Sequence, residues 1–227
     1  MKKIAFLVFI TAILFGVALT VALGGFNSLI KISIGRTVGS GNVVTEKRDV
    51  AAFTGVDFGG AIEVEIAAQK EQSVEVEGDD NILPLIETEV RDGILYISNK
   101  ERFSIRNRIK VRIGVDELNS LNVSGASKTT AANVKADKFD LNISGASKAE
   151  ISGEAIELTA NASGASKINA EGFKVKRADV DASGASTIMV NASEDLDANA
   201  SGASKIRYAG SPQVSQKATG ASSVKQQ

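Results

Sequence analysis

Beyond residue 56 the chain alternates between apolar and polar residues. Ile62-Glu63-Val64-Glu65-Ile66 is the plainest run, and Ser73 to Glu77, Ile86 to Val90, Ile94 to Ser98 and Arg106 to Gly114 follow the same period of two. Alternation sends successive side chains to opposite faces of an extended backbone, so these segments predict β-strands. Asp92-Gly93, between two of them, marks a tight turn.

The alternation then becomes a repeat. Ser-Gly-Ala-Ser begins at Ser124, Ser144, Ser163, Ser183 and Ser201 and returns as Thr-Gly-Ala-Ser from Thr219, at spacings of 20, 19, 20, 18 and 18 residues. Six copies at so regular a period describe a unit that cannot bury its own apolar face and stacks on its neighbours. The residue before each copy is Val123, Ile143, Ala162, Ala182, Ala200 or Ala218, and the one before that is Asn122, Asn142, Asn161, Asp181, Asn199 or Lys217. On the far side, Lys128, Lys148, Lys167, Thr187, Lys205 and Ser223 precede Thr129, Ala149, Ile168, Ile188, Ile206 and Val224. Period two on both flanks again means strand rather than helix. Continued through the tetrapeptide, it places the Gly and the second Ser inward with the apolar columns. Asn, the first Ser, Ala and Lys then share one outward face.

A motif recurring at the same place in the strand stacks in register only when its copies run parallel. The expected fold is therefore all-β, a parallel β-solenoid of about six rungs of 18–20 residues. A second strand per rung is expected over Asn133 to Phe139, Glu154 to Leu158, Phe173 to Ala178 and Ala192 to Leu196. At roughly 4.7 to 4.9 Å per rung the rod is about 30 Å long. Upstream, Asp57-Phe58-Gly59-Gly60-Ala61-Ile62-Glu63 aligns with Asn122-Val123-Ser124-Gly125-Ala126-Ser127-Lys128 and reads as the first rung. The organisation expected is a β-rich N-terminal cap at 37–118, the polar end a solenoid needs, followed by the repeat solenoid at 119–227. Within the cap, Glu63, Glu65, Glu75 and Glu77 are opposite in sign to Arg106, Arg108, Lys110 and Arg112, which predicts charge pairing between strands.

Residues 1–36 predict one hydrophobic helix, a signal peptide or an N-terminal membrane anchor. Lys2 and Lys3 precede an apolar run from Ile4 to Leu23 broken only by Thr11, Gly16 and Thr20. Ala22 and Gly24 supply small residues for a cleavage site, whereas Phe26, Leu29, Ile30, Ile32 and Ile34 suit the flank of an anchor. Lysines held in the cytoplasm deliver everything downstream outside it under either fate. The expected location is across the inner membrane: periplasmic, outer-surface, or membrane-anchored and facing outward.

Composition narrows the chemistry. The chain of 227 residues has no His, Cys or Trp, which excludes histidine triads, thiol nucleophiles, Cys/His zinc sites, haem ligation and disulfides. Aromatic residues are only 5%, so the interior must be filled by small side chains and be narrow. A formal charge of -1 gives no global attraction for nucleic acid, and the basic stretch Lys100 to Arg112 alternates as a charged strand does. Calcium-binding repeat turns need an Asp that the Ser-Gly-Ala-Ser turn lacks. No metal, cofactor or catalytic residue is expected. Ser127 and Lys128 point to opposite faces, so the amine cannot activate the hydroxyl. The carboxylate pairs Glu63 with Glu65 and Asp179 with Asp181 read as exposed strand faces.

Gly39-Ser40-Gly41-Asn42-Val43, Arg48-Asp49-Val50, Phe53-Thr54-Gly55-Val56 and the pair Gly60-Ala61, followed by recurring Ser-Gly-Ala-Ser rungs, resemble the bacterial auto-transporter adhesin, head GIN domain family. The resemblance runs from about Gly39 to the end of the chain. It implies a β-helix-like, extracytoplasmic domain of the bacterial envelope, and no catalytic residues to carry over.

The repeat itself offers a ligand face. Lys128, Lys148, Lys167 and Lys205 form a column suited to an acidic polysaccharide, or equally a solvated edge that discourages aggregation. Asn122, Asn142, Asn161 and Asn199 could hydrogen-bond sugar hydroxyls, or form a ladder that stabilises the solenoid alone. The function expected is non-enzymatic, adhesin-like binding of a surface glycan or envelope protein. The alternative is a structural or envelope-stress scaffold acting through self-assembly. A polysaccharide-cleaving β-helix enzyme stands third, since its clustered carboxylates and Arg are missing from the rungs.

Overall fold

The computed structural model describes residues 36–227, so the N-terminal hydrophobic segment lies outside the described residues. In chain order come β1 (Thr37–Val38), β2 (Val43–Arg48), β3 (Gly55–Phe58), β4 (Ile62–Ala68) and β5 (Ser73–Asp79). A short 3-10 turn at Leu83–Leu85 leads to β6 (Ile86–Arg91), β7 (Ile94–Asn99), β8 (Phe103–Ser104), β9 (Ile109–Val115) and β10 (Ser120–Val123). The repeats follow as β11 (Lys128–Ile143), β12 (Lys148–Ala162), β13 (Lys167–Ala182), β14 (Thr187–Ala200), β15 (Lys205–Ala209), β16 (Gln213–Ala218) and β17 (Ser223–Gln226). Among the described residues no helix is long and apolar enough to cross a membrane.

Every neighbouring pair from β10 to β17 is parallel, and equivalent repeat positions face one another: Lys128, Lys148 and Lys167 stack, as do Asn122, Asn142 and Asn161. The chain is thus a parallel β-solenoid of about five turns, its six tetrapeptides bracketing five complete coils. In four of the coils the two expected strands merge into one strand of 14 to 16 residues, because the chain bends without leaving the ladder. Those bends carry the register shifts, at Ala131/Val134, Glu150/Ser152, Ala170/Lys174 and Val175/Arg177, and the left-handed Asn133 and Gly153. Coil length varies only there. From Phe139, Leu158, Ala178 and Leu196 to the next Lys or Thr column is always nine residues, whereas Lys128 to Phe139 is eleven, Lys148 to Leu158 ten and Thr187 to Leu196 nine.

The interior is as thin as the composition demands. Stacks such as Leu141, Ala160, Val180 and Ala198 are almost fully buried, alternating large and small residues along the rod. Phe139 and Phe173 meet edge to face with centroids 5.4 Å apart, filling the space beside small residues.

At the N-terminal end β3 pairs with β10 in the register expected from the alignment, Asp57 opposite Asn122 and Phe58 opposite Val123. This pair is not the outermost level, however. β7 lies parallel against β3 and β9 against β4, so later sequence builds a level beneath the segment read as the first rung. Antiparallel β5 and β2 extend the β9 side, and β6 returns antiparallel to β7 through Asp92 and Gly93, both left-handed as a tight hairpin turn requires. Arg112 pairs with Glu77 at 3.0 Å and Glu65 at 3.8 Å, and Lys110 stands in register with Glu63. Arg106 and Arg108 precede β9 and take no place in the ladder. There Asp79, buried, accepts hydrogen bonds from the Arg106 backbone N–H (3.0 Å) and from Asn107 Nδ2 (2.7 Å).

Candidate ligand-contact surface

Each coil turns at Ser-Gly-Ala, and the turn explains the tetrapeptide. The glycines at 125, 145, 164, 184, 202 and 220 have φ between 72° and 81°, a region open to glycine but strained for other residues. Each sits directly on the glycine of the preceding coil: Ala146 N–H donates to the Gly125 carbonyl at 2.7 Å, and Ala165 N–H to that of Gly145 at 2.8 Å. The second Ser is buried, or half-buried at Ser222, and bonds back to the previous coil. Ser186, Ser204 and Ser222 Oγ donate to the Ala162, Ala182 and Ala200 carbonyls at 3.2, 3.0 and 2.9 Å. Because three successive residues of the turn are exposed, the strand alternation breaks across it. The glycine is therefore on the outer corner and not inward as alternation predicted. The Asn and Lys columns stand on opposite flanks of that corner rather than on one continuous face.

On one flank the asparagine amides form a ladder. Asn142 Nδ2 donates to Asn122 Oδ1 at 2.8 Å, Asn161 Nδ2 to Asn142 Oδ1 at 2.9 Å, and Asn122 Nδ2 to Asp57 at 3.3 Å. Asp181 interrupts the column before Asn199. A shallow groove beside it is lined by Asp57, Asn122, Asn142, Asn161 and the corner serines Ser124, Ser144 and Ser163. None of the column lysines lines it.

On the other flank Lys128, Lys148 and Lys167 are exposed and stacked in register, with Thr187 and then Lys205 continuing the column. Lys128 reaches Glu63 at 3.3 Å. Among the described residues Lys148, Lys167 and Lys205 have no carboxylate within 4.0 Å. Like charges directly opposite on neighbouring strands are destabilising, so the stacking of these lysines opposes the pairing of the coils that carry them.

A third column was not picked out in the sequence. Asp140, Thr159, Asp179, Asp197 and Ser215 stack two residues before the Asn column, on the Asn flank. The signal was available, since each stands four residues before its tetrapeptide. Desolvation, with Asp181 and Asp197 beside it, pushes the Asp179 carboxyl above the ordinary carboxylate range. Away from the corner, where coil length varies, Ala136, Ala155, Ile156 and Val175 lie along an open groove of about 1130 Å³ lined also by charges of both signs, Lys135, Lys138 and Lys174 with Asp137, Asp140 and Glu154. Lys138 of this groove and Arg177 both bind Glu157, the lysine at 2.9 Å, and the two cations, Arg177 first, hold that carboxyl below its usual value.

The architecture is shared with solved structures. A "putative adhesin" from Bacteroides fragilis superimposes with TM-score 0.68 at 22% identity, covering 83% of this chain and 99% of that one. A "putative adhesin" from Parabacteroides merdae gives 0.54 at 19% identity, with 84% and 98% covered. A "putative lipid binding protein" from Parabacteroides distasonis gives 0.52 at 21% identity, with 85% and 99% covered. At these identities the likeness is one of fold. No curated protein matches the chain. Residues 52–212 match the family described as "Putative auto-transporter adhesin, head GIN domain", and the chain belongs to that family.

Proposed function

We propose that the protein is a non-enzymatic, adhesin-like module of the bacterial envelope whose lysine flank grips an acidic surface polysaccharide. The observation that carries this reading is the in-register stack of Lys128, Lys148 and Lys167, continued at Lys205, with a carboxylate partner only at its first member among the described residues. A stack of like charges costs stability in the isolated rod. A polymer with regularly spaced anionic groups removes that cost by laying its charges along the rungs, which repeat at roughly 4.8 Å. The family description, that of an adhesin, favours binding over chemistry and an extracellular or envelope location. The asparagine flank plays the lesser part, because its amides are largely engaged with one another.

Binding of the full chain to an array of acidic and neutral bacterial polysaccharides tests the reading. Changing Lys128, Lys148, Lys167 and Lys205 together to Glu is expected to weaken acidic-polysaccharide binding by roughly tenfold or more, with neutral glycans unaffected. Unchanged binding to the acidic polymers would overturn the lysine reading.

A further inference from the structure

The two flanks of the glycine corner carry columns of opposite charge on the same ladder, interrupted by Thr187 among the lysines and by Thr159 among the aspartates. Lys128, Lys148, Lys167 and Lys205 line one, while Asp140, Asp179, Asp181 and Asp197 line the other, all of them exposed. Among the described residues neither flank is neutralised by ion pairs. Among the described residues the four aspartates have no Lys or Arg within 4.0 Å, and of the lysines only Lys128 has a carboxylate partner.

We propose that the rod associates laterally with further copies of itself, the lysine flank of one rod lying against the aspartate flank of the next. Both columns are built on the same hydrogen-bonded ladder, so their charges share a single repeat. Counted from β11, the lysines stand on the first, second, third and fifth levels and Asp140, Asp179 and Asp197 on the first, third and fourth, so two Lys–Asp pairs coincide in parallel rods and three in antiparallel ones. Single exposed ion pairs contribute little. Here, though, each new pair also relieves the repulsion within the two columns that supply it. On the corner side the neighbours are small, exposed Ser and Ala, and Thr159 stands within the aspartate column; on its other side that column is bordered by Lys138, Glu157, Arg177 and Asp195, of which Glu157 is already bound by both cations. Because the two flanks are different surfaces, the contact is head-to-tail rather than two-fold, and repetition gives an open row of rods.

This inference does not rest on the polysaccharide reading, although both use the lysine flank and the two partners therefore compete for it.

Charge-swap complementation tests it. The full chain in non-ionic detergent is followed by sedimentation velocity at about 0.01 M and about 1 M ionic strength, where screening lengths differ about tenfold. The unaltered chain is expected to show a mean mass at least about twice the monomer at low salt and the monomer at high salt. One variant carries Lys128, Lys148, Lys167 and Lys205→Glu, the other Asp140, Asp179 and Asp197→Lys. Each alone is expected to stay monomeric at low salt, and an equimolar mixture to associate again, because the acidic lysine flank of one now meets the basic aspartate flank of the other. Recovery in the mixture also shows that both variants are folded. A monomeric unaltered chain at low salt, or variants that associate alone as well as it does, overturns the proposal. If the mixture stays monomeric while circular dichroism shows both variants folded, the proposal is likewise overturned. Polysaccharide binding separates the two ideas, since the Asp→Lys variant keeps its lysine flank and should still bind the acidic polymer.

Discussion

Gly145 stands so directly on Gly125 that a Cβ placed on it would come 2.3 Å from the Gly125 carbonyl oxygen. The same relation recurs up the corner, with Gly164 on Gly145 and Gly184 on Gly164 at 2.6 Å. Left-handed φ alone would favour glycine; the close approach of the next backbone makes any other residue clash.

Gly145→Ala should therefore lower stability by more than about 2 kcal/mol, combining left-handed strain with a backbone clash. Gly93 is the internal control. It is also left-handed, at φ 75°, but nothing lies within 4 Å of its would-be Cβ. Gly93→Ala should cost only about 1 kcal/mol. Urea unfolding of both variants, read by circular dichroism, checks the difference.

Asp79 anchors the cap and should make its stability depend on acid. The Asn107 side chain, followed by the Arg106, Asn107 and Gly41 backbone N–H groups, holds its carboxyl below the ordinary value despite burial. A carboxyl with a depressed folded-state pKa stabilises the fold above its unfolded value, near 3.9, and that contribution is lost as pH falls through the folded value. Denaturant midpoints of the unaltered chain should drop below about pH 4. In Asp79→Asn this part of the pH dependence should vanish and stability at neutral pH should fall, since an amide has one acceptor oxygen where the carboxylate has two.

Asp179 should behave in the opposite sense. Its carboxyl is raised by desolvation and then by Asp181 and Asp197, so its charged form costs stability above the folded-state pKa, and the cost disappears below the unfolded value. Asp179→Asn should stabilise the rod at pH 7 by a few tenths of a kcal/mol to about 1 kcal/mol, with no gain at about pH 3. Thermal melts at the two pH values check it. A loss of stability at pH 7 would show that the aspartate column has a compensating cation.

The aromatic pair carries an outsized share of a small-residue core. Phe139 and Phe173 are both buried within 1% of full exclusion from solvent, two coils apart and in edge-to-face contact. Phe173→Ala should cost roughly 3 to 5 kcal/mol, while Phe173→Leu should recover a good part of it. Equilibrium unfolding of the two variants measures both values.

Repeat, strand type, parallel pairing and the alignment of Asp57 to Glu63 with the first tetrapeptide were all legible in the sequence. Each rests on a residue's own chemistry recurring at a fixed spacing: hydrophobic alternation defines a strand, and identical columns stack only in parallel. The same arithmetic located the asparagine and lysine columns residue by residue. What it misjudged was direction. Alternation carried through Ser-Gly-Ala made one face of what the left-handed glycine divides into two flanks, because a turn is a property of φ and of the neighbouring coil. The level beneath β3, the burial of Asp79 between loops, and the absence, among the described residues, of a counter-ion beside Lys148 depend on contacts between residues far apart in the chain. Those contacts form only when the coils stack, so tertiary structure alone decided them, and with them which charges are left unpaired among the described residues.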